Sequence, residues 1–291
     1  MSLTFSLRPP IGKTSDKLDA GIVMPGTNGK AFILVHGLTG APNEMHFIAW
    51  YLNSEGYTVH CPRLAHHGEP MQVIKEAHWE EFYQSVKDCF IELRKTYKAV
   101  YVGGLSMGAL LALELAAEFP DEVAGVSCLS PTFFYDGWNV PWYQMLLPLV
   151  AYTGFGNFFY FKEQPPYGLK SERLREKVHA YYQHASLSDL NEVEKYGYPF
   201  FPVRLLVQLK QLISHVKPRL KRVTCPCQVI QARQDDMSSP KNAEFVIDNI
   251  SSFRKEIFYL ENSYHVITAD QERGKVGQSI VDFFNQEAFR G

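Results

Sequence analysis

Three observations predict an α/β fold with a mostly parallel central sheet and helices on both faces. Short apolar runs alternate along the chain with amphipathic stretches. The runs are too continuously hydrophobic for a sheet with one wetted face. The alternation is interrupted once, between about 132 and 222, by a long span of different composition.

The strand candidates are "AFILVHG" (31–37), "YTVHCP" (57–62), "AVYVGG" (99–104), "VAGVSCLS" (123–130), "CQVIQA" (227–232) and "EIFYL" (256–260). Each is a 4–7-residue apolar core bounded by turn formers. Helix candidates lie between and after them, at 43–55, 78–97, 107–119, 240–250 and 271–286. The interrupting span carries about half of the aromatic residues, many prolines and no clear strands. A structureless loop of that length does not fit inside a compact domain, so a mainly helical insertion is expected. The predicted division is a core of 1–131 and 223–291, with 132–222 as a cap (lid).

Bulk properties narrow the function classes. A chain of 291 residues can bury a large core. Its net charge of −2 offers no electrostatic footprint for nucleic acid. The N-terminal "MSLTFSLRPPIGK" lacks the apolar core of a signal peptide. The apolar stretch "WYQMLLPLVAY" (142–152) is too short to span a bilayer, so no integral membrane segment is expected, although transient contact with a membrane surface is compatible with it. Five cysteines at no framework spacing fit reduced thiols and a cytoplasmic location. Cys225 and Cys227 have a metal-pair spacing but no second pair nearby, so neither metal nor cofactor is expected.

The chemistry starts at "VGGLSMGALLALELAAEF", where a G-x-S-x-G window joins a strand directly to a helix. Chance produces that window in roughly one chain in ten of this composition, so context has to carry the argument. A serine on a strand-to-helix turn is held above the sheet, and residues two before and two after must nearly lack side chains. Gly104 and Gly108 meet that need around Ser106. A serine nucleophile requires a base and an orienting carboxylate, and here both are expected on loops after later strands. "CQVIQARQDDM" offers Asp235 and Asp236; Asp235, first off the strand, is the expected acid, with Asp236 facing solvent or capping the turn before Pro240. His265 follows the strand at 256–260 and is the expected base. Backbone N–H groups of Met107 and Leu38 are the expected oxyanion donors, with Gly37 and Gly40 allowing close approach. His36, at a strand end, is read as a hydrogen-bonded structural histidine.

"HGLTG", "GLSMG", "QARQDDM" and "YHVIT" together resemble the α/β-hydrolase superfamily, and within it bacterial carboxylesterases of the monoacylglycerol-lipase type. "PRLAHHGEP" (62–70), followed by Trp79, is similar to the P-x-x-x-G-H-G loop of those enzymes, with His66 in place of the first glycine. The likeness covers roughly 30–131 and 223–286. It implies a serine hydrolase acting on small-molecule acyl esters such as monoacylglycerols, without a cofactor. Two readings stand beside it: a hydrolase of amide or carbon–carbon bonds, or acyltransferase, with the same triad; and a ligand-binding sensor without turnover. Oligomeric state is not encoded in any motif.

Overall fold

The computed structural model describes residues 21–140, 160–184, 193 and 197–285. The aromatic stretch 141–159 and most of 185–196 lie outside the described residues, so the expectations placed on them are not addressed. The main sheet has seven strands: β1 (Ile22–Met24), β2 (Lys30–Val35), β3 (Thr58–Cys61), β4 (Ala99–Leu105), β5 (Val123–Leu129), β8 (Cys227–Ala232) and β9 (Lys255–Leu260). Their spatial order is β1-β3-β2-β4-β5-β8-β9. Every pairing is parallel except that of β1 with β3.

The hydrophobic strands are explained by burial on both sides. Along β2, Ala31, Ile33 and Val35 enter one core, while Phe32 and Leu34 enter the other. The first core is closed by α3 (Trp79–Arg94), α4 (Met107–Glu118) and α7 (Lys241–Asn249). The second is closed by α1 (His46–Ser54) and α8 (Arg273–Asn285). Helix α4 is apolar on all sides and buried from Met107 to Ala117, as expected of a helix covered all round. Its one buried charge, Glu114, is paired with Arg219 at 2.9 Å and His215 at 3.2 Å, consistent with the rule that buried charges need partners.

The interrupting span holds more than helices. A two-stranded antiparallel ribbon joins β6 (Tyr160–Lys162) to β7 (Phe200–Pro202), which the sequence reading did not anticipate. Helix α5 (Glu172–His184) lies between them, and α6 (Val203–Val216) follows. Leu205, Leu209, Leu212 and Val216 recur on one face of α6 and pack into the core with α3 and α4. The stretch from Val203 to Val216 thus contributes side chains to the main core.

Because the strands are parallel, β4, β8 and β9 all deliver their C-terminal loops to one edge. The interrupting span is fastened around that edge. Gly137 N–H donates to Met237 O at 3.1 Å, and Tyr198 N–H to Thr39 O at 2.8 Å. Lys170 and Ser171 N–H groups donate to the Asp270 carboxylate at 2.8 and 3.0 Å.

Candidate active site

Ser106 stands between β4 and α4 with φ 57° and ψ −114°, a strained conformation for a residue with a side chain. The turn is possible because of the flanking glycines. A Cβ on Gly104 would lie 2.3 Å from the carbonyl of Gly108, and one on Gly108 2.3 Å from Val35 O. The Ser106 N–H is held by Leu129 O at 2.9 Å, tying the turn to the end of β5. Its Oγ lies 3.0 Å from Thr132 Oγ1, its one hydrogen-bond partner among the described residues.

Asp235 and His265 are both buried and pair with each other. His265 Nδ1 is 3.0 and 2.9 Å from the two Asp235 oxygens. The carboxylate is fixed by other donors: Met237 N–H (2.9 Å) and Ser238 N–H (2.8 Å) on Oδ1, and Gln231 Nε2 (2.8 Å) on Oδ2. With the carboxylate accepting at Nδ1, the Nδ1–H tautomer leaves Nε2 as the free lone pair. Asp236 does not face solvent, contrary to the sequence reading. It is 1% exposed, and accepts from the backbone N–H groups of His265 and Gly168, each at 3.2 Å. Its role is to hold the histidine loop against the segment that crosses it. Burial pushes the Asp236 carboxyl above its usual range, with His265 opposing.

The loop after β2 is equally constrained. Gly37 N–H donates to Glu44 Oε2 at 2.8 Å. His36 Nδ1–H donates to Gly37 O at 2.9 Å, while its Nε2 accepts from Leu64 N–H at 3.3 Å, a consistent neutral tautomer. The carbonyl of Leu38 accepts from His67 Nε2 at 2.7 Å. The Leu38 and Met107 N–H groups make no hydrogen bond to another described residue. His66 has a left-handed backbone, φ 64°, at the position where glycine was expected.

Sequence reasoning missed Thr132, Gln231, Ser238, Glu44 and His67. Only Gln231 left a signal, as a polar residue inside the apolar run of β8. Among the described residues no group of His, Cys, Asp and Glu gathers in a metal-binding arrangement, and all five cysteines are buried outside disulfides.

Burial alone would lower the His265 pKa, but the Asp235, Asp236 and Glu44 carboxylates outweigh it and raise it above 6.5. With the neutral ring as the expected base, activity should be lost as pH falls through that raised value. The acid limb of kcat/KM is therefore expected to centre above 6.5. Glu163, pushed up to about 7 by burial, titrates in the same window. The profile should accordingly be recorded for Glu163→Gln as well. An acid limb at or below 6.5 in both proteins would contradict this electrostatic account.

A strand–serine–helix turn at the C-terminal edge of a parallel sheet, with an acid after β8 and a histidine after β9, defines a serine hydrolase of the α/β-hydrolase fold. Residues 26–272 match the profile of the family described as serine aminopeptidase, S33, and the chain belongs to that family. It is 29% identical over 258 residues to the thermostable monoacylglycerol lipase of Bacillus sp. (strain H-257), covering 88% of this chain and 90% of that protein. It is 27% identical to the carboxylesterase of Bacillus subtilis (strain 168), covering 88% and 93%. Among solved structures, a metagenome-derived lipolytic enzyme superposes with a TM-score of 0.73 at 25% identity, covering 92% of this chain and 98% of the other. A soluble variant of monoglyceride lipase from Saccharomyces cerevisiae gives 0.76 at 15% identity, covering 97% of each, a likeness of fold.

Proposed function

We propose that the protein hydrolyses carboxylic esters of lipophilic acids, monoacylglycerols among them, through an acyl-enzyme on Ser106. What carries this reading is the buried Asp235–His265 pair, on the loops after β8 and β9, together with a serine on a strained strand-to-helix turn at the same edge of the sheet. Ser106 Oγ attacks the ester carbonyl carbon, and His265 Nε2 takes its proton. Leu38 and Met107 N–H groups hold the oxyanion. The carbon–oxygen bond to the alcohol breaks, and the alcohol leaves with the proton from His265. Water, deprotonated by His265, then releases the acid. Names of the two bacterial relatives support esters over amides, although the family description itself names a peptidase. Product analysis with matched ester, amide and diketone substrates separates these reactions.

The span from 132, aromatic-rich and fastened around the catalytic edge, acts in this reading as a cap that supplies the acyl pocket. Each buried methylene contributes about 0.8 kcal/mol, so four more carbons should raise kcat/KM by about two orders of magnitude. Medium and longer acyl esters are therefore expected to outrun acetates. The check is a rate series across acyl length. A flat or falling series would turn the assignment to small esters and leave the span a packing role only.

A further inference from the structure

We propose that Thr132 is a catalytic hydroxyl that hands a hydrogen bond to the nucleophile as charge builds on it. This rests on the Ser106 reading above. Thr132 lies beyond β5, is fully buried, and places Oγ1 3.0 Å from Ser106 Oγ and 3.3 Å from Ser130 O. It is rigidly held. Ser130 before it carries a left-handed backbone (φ 44°), and its N–H donates to Ile230 O at 2.9 Å. The N–H groups of Phe133 and Phe134 after it both donate to Asn242 Oδ1, at 2.8 and 2.7 Å. A hydroxyl positioned this firmly costs little reorganisation when it acts.

The proton count gives the mechanism. A carbonyl oxygen only accepts, so the Thr132 proton serves Ser130 O in the resting state, and Ser106 donates to Thr132. Two protons satisfy two bonds, and the serine proton is parked away from His265. When Ser106 turns its proton to His265 Nε2, its oxygen presents free lone pairs to Thr132. The threonine proton then swings from the longer contact to the shorter one. Its bond to Ser106 Oγ strengthens as that oxygen gains negative charge, during attack and again when the same oxygen leaves the acyl-enzyme. No covalent bond to Thr132 forms or breaks, and its proton never leaves it.

The test compares wild type, Thr132→Val, Thr132→Ser and Ser106→Ala in two assays: fluorophosphonate labelling rate, and kcat and KM with a soluble acyl ester. Thr132→Val is expected to lose about tenfold in labelling rate and in kcat, the worth of one charge-assisted hydrogen bond, with KM nearly unchanged. Thr132→Ser, which keeps the hydroxyl, should recover to within about threefold. If valine is not accommodated, Thr132→Ala removes the hydroxyl with less bulk and carries the same expectation. Wild-type or faster rates without the hydroxyl would overturn the proposal, as would a serine variant as slow as the valine one. Labelling that survives Ser106→Ala is a separate failure, that of the nucleophile assignment itself.

Discussion

Ser106→Ala is expected to reduce ester turnover to background, a loss of about a million-fold, and to abolish labelling by a fluorophosphonate. The substitution removes one oxygen and leaves the turn intact. Gly104 and Gly108 still allow the close approach of β4, α4 and the end of β2, and the backbone N–H of residue 106 still reaches Leu129 O. Only the hydrogen bond to Thr132 is lost, worth about 1 kcal/mol, so the melting temperature should change little. The wild type should carry a single adduct, on Ser106, by peptide mapping. A free serine hydroxyl is a poor nucleophile unless a base takes its proton. Ser130 is a rival, with a buried hydroxyl that has no partner among the described residues. An adduct there, or one that persists in Ser106→Ala, would remove Ser106 from the mechanism.

What the chain's own pattern disclosed depended on how local each feature is. Six of the seven main-sheet strands fall on the short apolar runs of the sequence. The seventh, Ile22–Met24, is three residues long and sits at an antiparallel edge, too short to show any period. The ribbon of Tyr160–Lys162 and Phe200–Pro202 was hidden because its aromatic and proline residues resemble the composition around them. Helix α6 did carry a legible stripe of Leu205, Leu209, Leu212 and Val216. It lies inside the span of aberrant composition, and its stripe packs against α3 and α4. The same division runs through the site. Ser106 and His265 stand in short motifs whose turn geometry is set by neighbouring residues. Thr132, Glu44 and the fixed carboxylate of Asp236 owe their roles to groups distant in sequence. The Asp236 partners at His265 and Gly168 lie 29 and 68 positions away, and no local pattern encodes such a contact.

The adjacent aspartates should separate cleanly under substitution. Asp235→Asn is expected to lower kcat by about 10,000-fold. An amide nitrogen facing His265 Nδ1 donates where the carboxylate accepts, so the ring is driven to the Nε2–H tautomer and has no lone pair for the Ser106 proton. Neither amide orientation is free of conflict. One turns its NH2 toward the N–H groups of Met237 and Ser238, the other toward Gln231 Nε2. Opposed donors should therefore also cost about 1–3 kcal/mol of stability. The loss of charge should move the midpoint of any residual acid limb downward, because Asp235 is the leading influence that raises His265 against its burial. Asp236→Asn keeps the imidazole partner but replaces one acceptor for the backbone N–H of His265 or Gly168. The loss expected there is about ten- to a hundredfold, from a loosened histidine loop rather than a wrong tautomer. The decisive readout is the pH profile alongside kcat: Asp236→Asn should retain an acid limb above 6.5, and Asp235→Asn should not. If Asp236→Asn proves the more damaging and shifts the limb further, the orienting carboxylate is Asp236, and the contact of His265 Nδ1 with Asp235 is incidental to catalysis.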